Sequence, residues 1–147
     1  ALYKHFNSKD DLLAQSLTSI SERLLAEGKS RISGTADASA AIGALIAWHV
    51  EFALNHRALI VIQDREWANL TPAAQANVRQ LQLAYVDQWV ETLRQLRPDL
   101  DPMTARATTQ AVFGLINSTP HSARISSAQM SRLLASMARA ALLAGEN

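Results

Sequence analysis

Ala1-Leu2-Tyr3-Lys4-His5-Phe6-Asn7-Ser8-Lys9-Asp10-Asp11-Leu12-Leu13 opens the chain, and its second half is a helix start. Ser8 suits an N-cap, because its hydroxyl can accept from the free amide three residues on. Asp11 stands where a capping-box acid would, although Glu or Gln is the commoner choice there. From that point Leu12, Leu13, Leu17, Ile20, Leu24 and Leu25 recur at helical spacing up to Gly28, a residue suited to ending a helix. The spacing predicts a helix of about twenty residues, roughly 30 Å long.

The rest of the chain repeats this grammar. Residues 32–37 form a polar linker, and helices are predicted from about Ala38 to Asn55 and from about His56 to Asn69. Thr71-Pro72 and Asp101-Pro102 each place a capping side chain before a proline at the first helical position, where the missing N–H costs nothing. They start helices reaching about Arg97 and Asn117. After a loop from Ser118 to Ile125, Ser126 or Ser127 caps a last helix to about Ala144. No strand pattern or internal repeat interrupts this order, so the fold class is all-α.

Composition narrows the function classes. The chain has 147 residues, 48% hydrophobic and 18% charged, a balance suited to one soluble domain with a sizeable core. Fourteen basic and thirteen acidic side chains give a net charge of +1, too even for general nucleic-acid binding. Basic character is local: Lys4, His5 and Lys9 gather ahead of Asp10 and Asp11. The absence of cysteine excludes disulfides and thiolate chemistry and fits a reducing, cytoplasmic setting. The longest apolar run, Ala40 to Leu54, is broken by His49 and Glu51 and reads as too short for a bilayer, so no membrane association is expected.

Catalytic patterns are missing. His49 and His56 are seven apart, with a helix end expected between them. No Glu-x-x-His pair of the di-iron type occurs, Ser118 and His121 have no acid placed to orient the histidine, and no glycine-rich phosphate loop is present. Neither an enzyme nor a cofactor is expected.

Leu2-Tyr3-x-His5-Phe6, a polar turn, and Ser8-Lys9-acid-acid-Leu-Leu together resemble one segment of the TetR/AcrR family of one-component transcriptional regulators. There, this segment closes the recognition helix of a helix-turn-helix and opens the helix leading to a regulatory body. The order of predicted helices is also similar to that body. The resemblance implies that residues 1–7 are the remnant of a largely missing DNA-reading head. It also implies that 8–147 form a ligand-binding and dimerisation domain, with 8–28 as connecting helix and 101–144 as dimerisation helices. Tyr3 and His5 resemble the pair donating to operator phosphates, Lys9 the lysine reaching the backbone, and Lys4 a variable position able to touch phosphate. Leu2 and Phe6 resemble the apolar seat of the recognition helix.

The family's ligand pocket lies among the second to fourth helices of this body. Trp48, His49, Phe52, Trp67, Tyr85 and Trp89 fall there, suited to a mostly apolar cavity with a few orienting hydrogen bonds. His49 lies on an apolar stripe and either orients a ligand or is a satisfied core histidine; Gln63, Gln82 and Asn117 are further polar candidates. Ala107, Ala111, Gly114 and Ser118 make a small-residue face, and Met130, Leu134, Met137 and Ala141 an apolar one, with Leu133 and Ala140 beside it. Both suit the family's two-fold, four-helix interface and hence a homodimer. The expected function is a ligand-responsive repressor, released from operator DNA by a small, largely apolar effector. The alternative is a helical dimeric interaction module that binds no ligand, and an accessible cavity is what separates the two.

Overall fold

In a computed structural model the described residues are 8–118 and 124–145; Tyr3, Lys4, His5 and their neighbours, with Pro120 and His121, lie outside them. Among the described residues six α-helices run in order: α1 Lys9–Ser33, α2 Ala38–Asn55, α3 Arg57–Glu66, α4 Pro72–Leu96, α5 Pro102–Asn117 and α6 Ser127–Leu142. A 3₁₀ turn, Trp67–Asn69, extends α3. Capping side chains fix most of the starts. Ser8, Asp37, Thr71, Asp101 and Ser126 each accept from the backbone amide three residues on, satisfying donors that have no partner within the helix. At Ser126 the Gln129 side chain returns the bond, completing a capping box.

α2 is the central helix. It packs against α1, α3, α4, α5 and α6, and nine of its residues are buried. By length and composition it could cross a membrane, at mean hydropathy 1.2, but half of it is buried within the protein. It serves as the core helix, meeting Trp89, Leu93, Val112, Ile116, Leu134 and Leu142 from its neighbours. A smaller cluster, Leu17, Leu70 and Val78, joins the start of α1 to the start of α4.

Gly28 does not end α1, which runs on to Ser33 and turns at Gly34. The reason is packing. A Cβ at Gly28 would stand 2.6 Å from Gln88 Oε1 and 3.2 Å from the Tyr85 ring. Gly28 is therefore where α4 closes onto α1, and the closeness lets Gln88 donate to the Leu25 carbonyl at 3.1 Å. Farther along, Arg31 bonds Glu27 and Glu51, both at 3.1 Å, and lies over the Trp48 ring at 4.8 Å, clasping α1 to α2. The connecting helix is thus five residues longer than its periodicity implied and is held along its length by α2 and α4.

Candidate functional site

Between α1, α2, α3, α4 and α5 lies a cavity of about 310 Å³. Ile20 and Leu24 of α1, Leu59 and Ile60 of α3, and Val86 of α4 give it apolar walls. Its ring system comes from His49 and Phe52 of α2, Tyr85 of α4 and Phe113 of α5. The His49 ring stacks on Phe113 at 4.6 Å and 17° and on Tyr85 at 5.7 Å and 25°, while Trp89 meets it edge-on at 6.0 Å.

A hydrogen-bonded relay crosses this stack. His49 Nε2 lies 3.0 Å from Asn117 Oδ1, and His49 Nδ1 lies 3.1 Å from the Tyr85 hydroxyl. An amide oxygen only accepts, so Nε2 carries the proton and donates to Asn117. Nδ1 of the neutral ring then accepts from Tyr85. The relay joins α4, α2 and α5 through one buried imidazole. Burial drives the His49 pKa down from 6.5 to about 4, partly opposed by the bond to Asn117. Burial likewise pushes the Tyr85 phenol up, opposed by the nearby Trp89 indole. Trp89 Nε1 is close enough to favour the phenolate but makes no well-formed hydrogen bond. Both groups are therefore neutral at physiological pH.

Of the six residues expected at a ligand site, His49, Phe52 and Tyr85 line this cavity. The three tryptophans do not. Trp89 is wholly buried in the core, and Trp48 donates to the Leu24 carbonyl at 3.2 Å beneath Arg31. Trp67 packs on the smaller cluster beneath Arg79, 5.4 Å from its ring centre. Each faces a neighbouring helix or a cation instead of the void. The weaker candidates Gln63, Gln82 and Asn117 all line it, as do Phe113, Gln110 and Arg79, which periodicity had not marked. Asp64, exposed to solvent, also lines it.

The outward face of α5 carries Ala107, Ala111, Gly114 and Ser118, all exposed. Gln110 sits on the border between that face and the cavity. On α6, Met130 and Leu134 turn the other way: they are 7% and 2% exposed and belong to the core around α2. They cannot face a partner, and Ala141 is half-buried against the same core. Leu133 and Met137, each 45% exposed, are the large apolar residues that α6 presents outward, with Ala140 beside them. Lys9 is exposed in the first turn of α1. Among the described residues no group of three or more His, Asp or Glu is placed to hold a metal.

A long first helix, a central apolar helix, a cavity touching both and a helix pair with an apolar outer face define the class. It is an all-α bundle of the kind found in TetR-family transcriptional regulators. Residues 35–121 match the family described as Tetracyclin repressor-like, C-terminal domain, and the chain belongs to that family. Solved structures agree on the fold. A TetR-family transcriptional regulator from Bordetella parapertussis superposes with a TM-score of 0.86 at 23% identity, over 98% of this chain and 76% of that one. The TetR-family regulator PfmR from Thermus thermophilus gives 0.78 at 17%, covering 99% and 81%. A TetR/AcrR-family regulator from Thermobifida fusca gives 0.75 at 18%, covering 99% and 79%. No curated protein matches the chain in sequence. The family is one of transcriptional regulators and not of enzymes.

Proposed function

We propose that the chain is the sensing and dimerising body of a cytoplasmic repressor that leaves its operator when a small, largely apolar effector fills the cavity. The observation carrying this reading is that the cavity wall includes Ile20 and Leu24 of α1. A ligand there touches the helix whose first turn holds Lys9, beside the segment assigned to operator phosphates, Tyr3, Lys4 and His5. Twenty-five residues of α1 act as a lever. A small tilt changes the separation of two DNA-reading heads, and heads set wrongly cannot occupy successive major grooves. A helical interaction module that binds nothing would have no use for a cavity against α1 with a buried polar relay.

Operator binding by the full-length protein tests this. An effector that binds the cavity should weaken operator affinity by about 5- to 150-fold, and Ile60→Trp, which fills the cavity, should abolish the response while leaving DNA binding intact. Unchanged operator affinity with the effector bound would remove the mechanism.

The homodimer forms on this reading through the outer faces of α5 and α6, with Ala107, Ala111 and Gly114 admitting close helix approach and Leu133 and Met137 supplying apolar area. Nothing lies within 4 Å of a Cβ placed at Gly114, so Gly114→Arg leaves the protomer's packing untouched. By sedimentation velocity the parent chain should be a dimer, and Gly114→Arg should weaken it by about a hundredfold or more. A variant as dimeric as its parent would place the seam elsewhere.

A further inference from the structure

The chemistry of the cavity narrows its ligand, an inference that rests on the cavity being an effector site. We infer that it selects an uncharged, flat two-ring ligand bearing a hydrogen-bond donor and acceptor side by side, of the carboxamide or lactam type, and rejects the matching carboxylate. Shape comes first. The rings of His49, Tyr85 and Phe113 lie within 15° to 25° of parallel and stack on one another, so they form one rigid aromatic wall suited to a ligand's rings. A volume of about 310 Å³ is at the low end for ligand sites, room for two rings rather than a long chain.

Proton bookkeeping comes next. The single Tyr85 proton goes to His49 Nδ1, and the single proton of the neutral imidazole goes to Asn117 Oδ1. Tyr85 is left with lone pairs on Oη, while Asn117 keeps two N–H donors on Nδ2. Both residues line the cavity, which thus offers an acceptor and a donor from the two ends of one relay. A carboxamide or lactam matches both. A carboxylate has acceptors alone and would set an oxygen against the Tyr85 lone pairs. Reversing the relay would free one O–H donor but supply no charge. The other polar groups point the same way, since Gln63, Gln82 and Gln110 are neutral amides. The one cationic side chain in the wall, Arg79, is exposed, stacks over Trp67 and shares the rim with Asp64. An anion buried here would lose its hydration without a buried cation to replace it.

A matched pair of probes decides the matter. The fluorescent apolar reporter N-phenyl-1-naphthylamine is bound to the 147-residue chain at pH 7.5 and displaced by 4-phenylbenzamide or by 4-phenylbenzoate, which differ only in the group replacing the amide nitrogen. The amide should displace it at about tenfold lower concentration or better, a gap of one tenfold step in Kd. Asn117→Leu, at a half-buried position, should keep reporter binding and shrink that ratio to about threefold or less. Equal or tighter binding of the benzoate overturns the inference, and so does a bound reporter that neither compound displaces. Failure of the reporter itself to bind would instead strike at the cavity as an effector site. An unchanged ratio in Asn117→Leu would overturn the role given to the relay.

Discussion

Replacing Arg97 by Ala should lower the stability of the chain by about 3 kcal/mol or more, the largest loss expected from any single side chain at a helix end. Arg97 follows α4 directly and is only 3% exposed. Its guanidinium reaches across the protein to the other end of the sequence. Nη1 donates to the carbonyls of Leu142 at 3.2 Å and Ala144 at 2.7 Å, and Nη2 donates to Asp99 Oδ2 at 2.8 Å. Leu142 is the last residue of α6, where carbonyls lack helical partners and the helix dipole favours a cation. One buried charge therefore serves as the C-terminal cap of α6 and fastens it to the α4–α5 turn. Hydrogen bonds to a charged group contribute about 1.5–3 kcal/mol each, and truncation also leaves a void under the chain.

Two controls separate the cap from the ion pair. Asp99 is more than half exposed, so water replaces its partner and Asp99→Ala should change stability far less than Arg97→Ala. Arg97→Lys keeps the charge but not the planar fork, and should fall between the two. The measurement is the urea midpoint at about 25 °C, converted through a common slope. An Arg97→Ala midpoint close to the parent's would show that α6 is held by its apolar face alone.

Neither this cap nor the closure at Gly28 could be read along the chain, whereas the helix starts could. Local chemistry suffices at Thr71-Pro72, Asp101-Pro102 and Ser126, where the residue that caps and the amide it caps are three positions apart. Gly28 reads locally as a stop, because glycine favours helix ends. Its actual role depends on Tyr85 and Gln88, far away in sequence on α4. The same limit explains the tryptophans. Periodicity assigns a side chain to a helix face but does not say whether a void or another helix covers that face. Trp89 and Tyr85 are one turn apart on α4, yet Tyr85 lines the cavity and Trp89 is sealed beside it. On α6 the ambiguity was rotational. Apolar residues occupy most of its circumference, and the core takes Met130, Leu134, Ala138 and Leu142, leaving Leu133 and Met137 outside. His49 was legible as a polar residue on an apolar stripe. It is a satisfied core histidine, and it also lines the cavity.

That same satisfaction makes the protein acid-sensitive in a defined window. Folded, His49 holds a pKa of about 4, against 6.5 for the free side chain. Above pH 6.5 the ring is neutral in both the folded and unfolded states, and its contribution to stability is fully present. As the pH falls from 6.5 toward 4 the unfolded chain binds a proton that the folded one refuses, so stability declines by up to about 1.4 kcal/mol per pH unit. The total, reached once the pH has passed through the folded pKa, is roughly 3 kcal/mol, a large share of the roughly 5–15 kcal/mol typical of a domain. His56, half-buried and lowered by burial and by Arg23, adds loss of the same sign. Asp99 and Asp101 have carboxyls lowered by Arg97 and by the Thr104 amide respectively, so their losses come at still lower pH. Urea midpoints taken at half-unit steps from about pH 7.5 to 4 should trace this slope. In His49→Gln an uncharged amide keeps a donor and an acceptor between Tyr85 and Asn117 but cannot titrate. Most of the decline between about pH 6.5 and 4.5 should vanish in that variant. If it persisted undiminished, proton uptake by His49 on unfolding would not be its source. The imidazole would then be more accessible to protons in the folded state than its hydrogen bonds to Tyr85 and Asn117 imply.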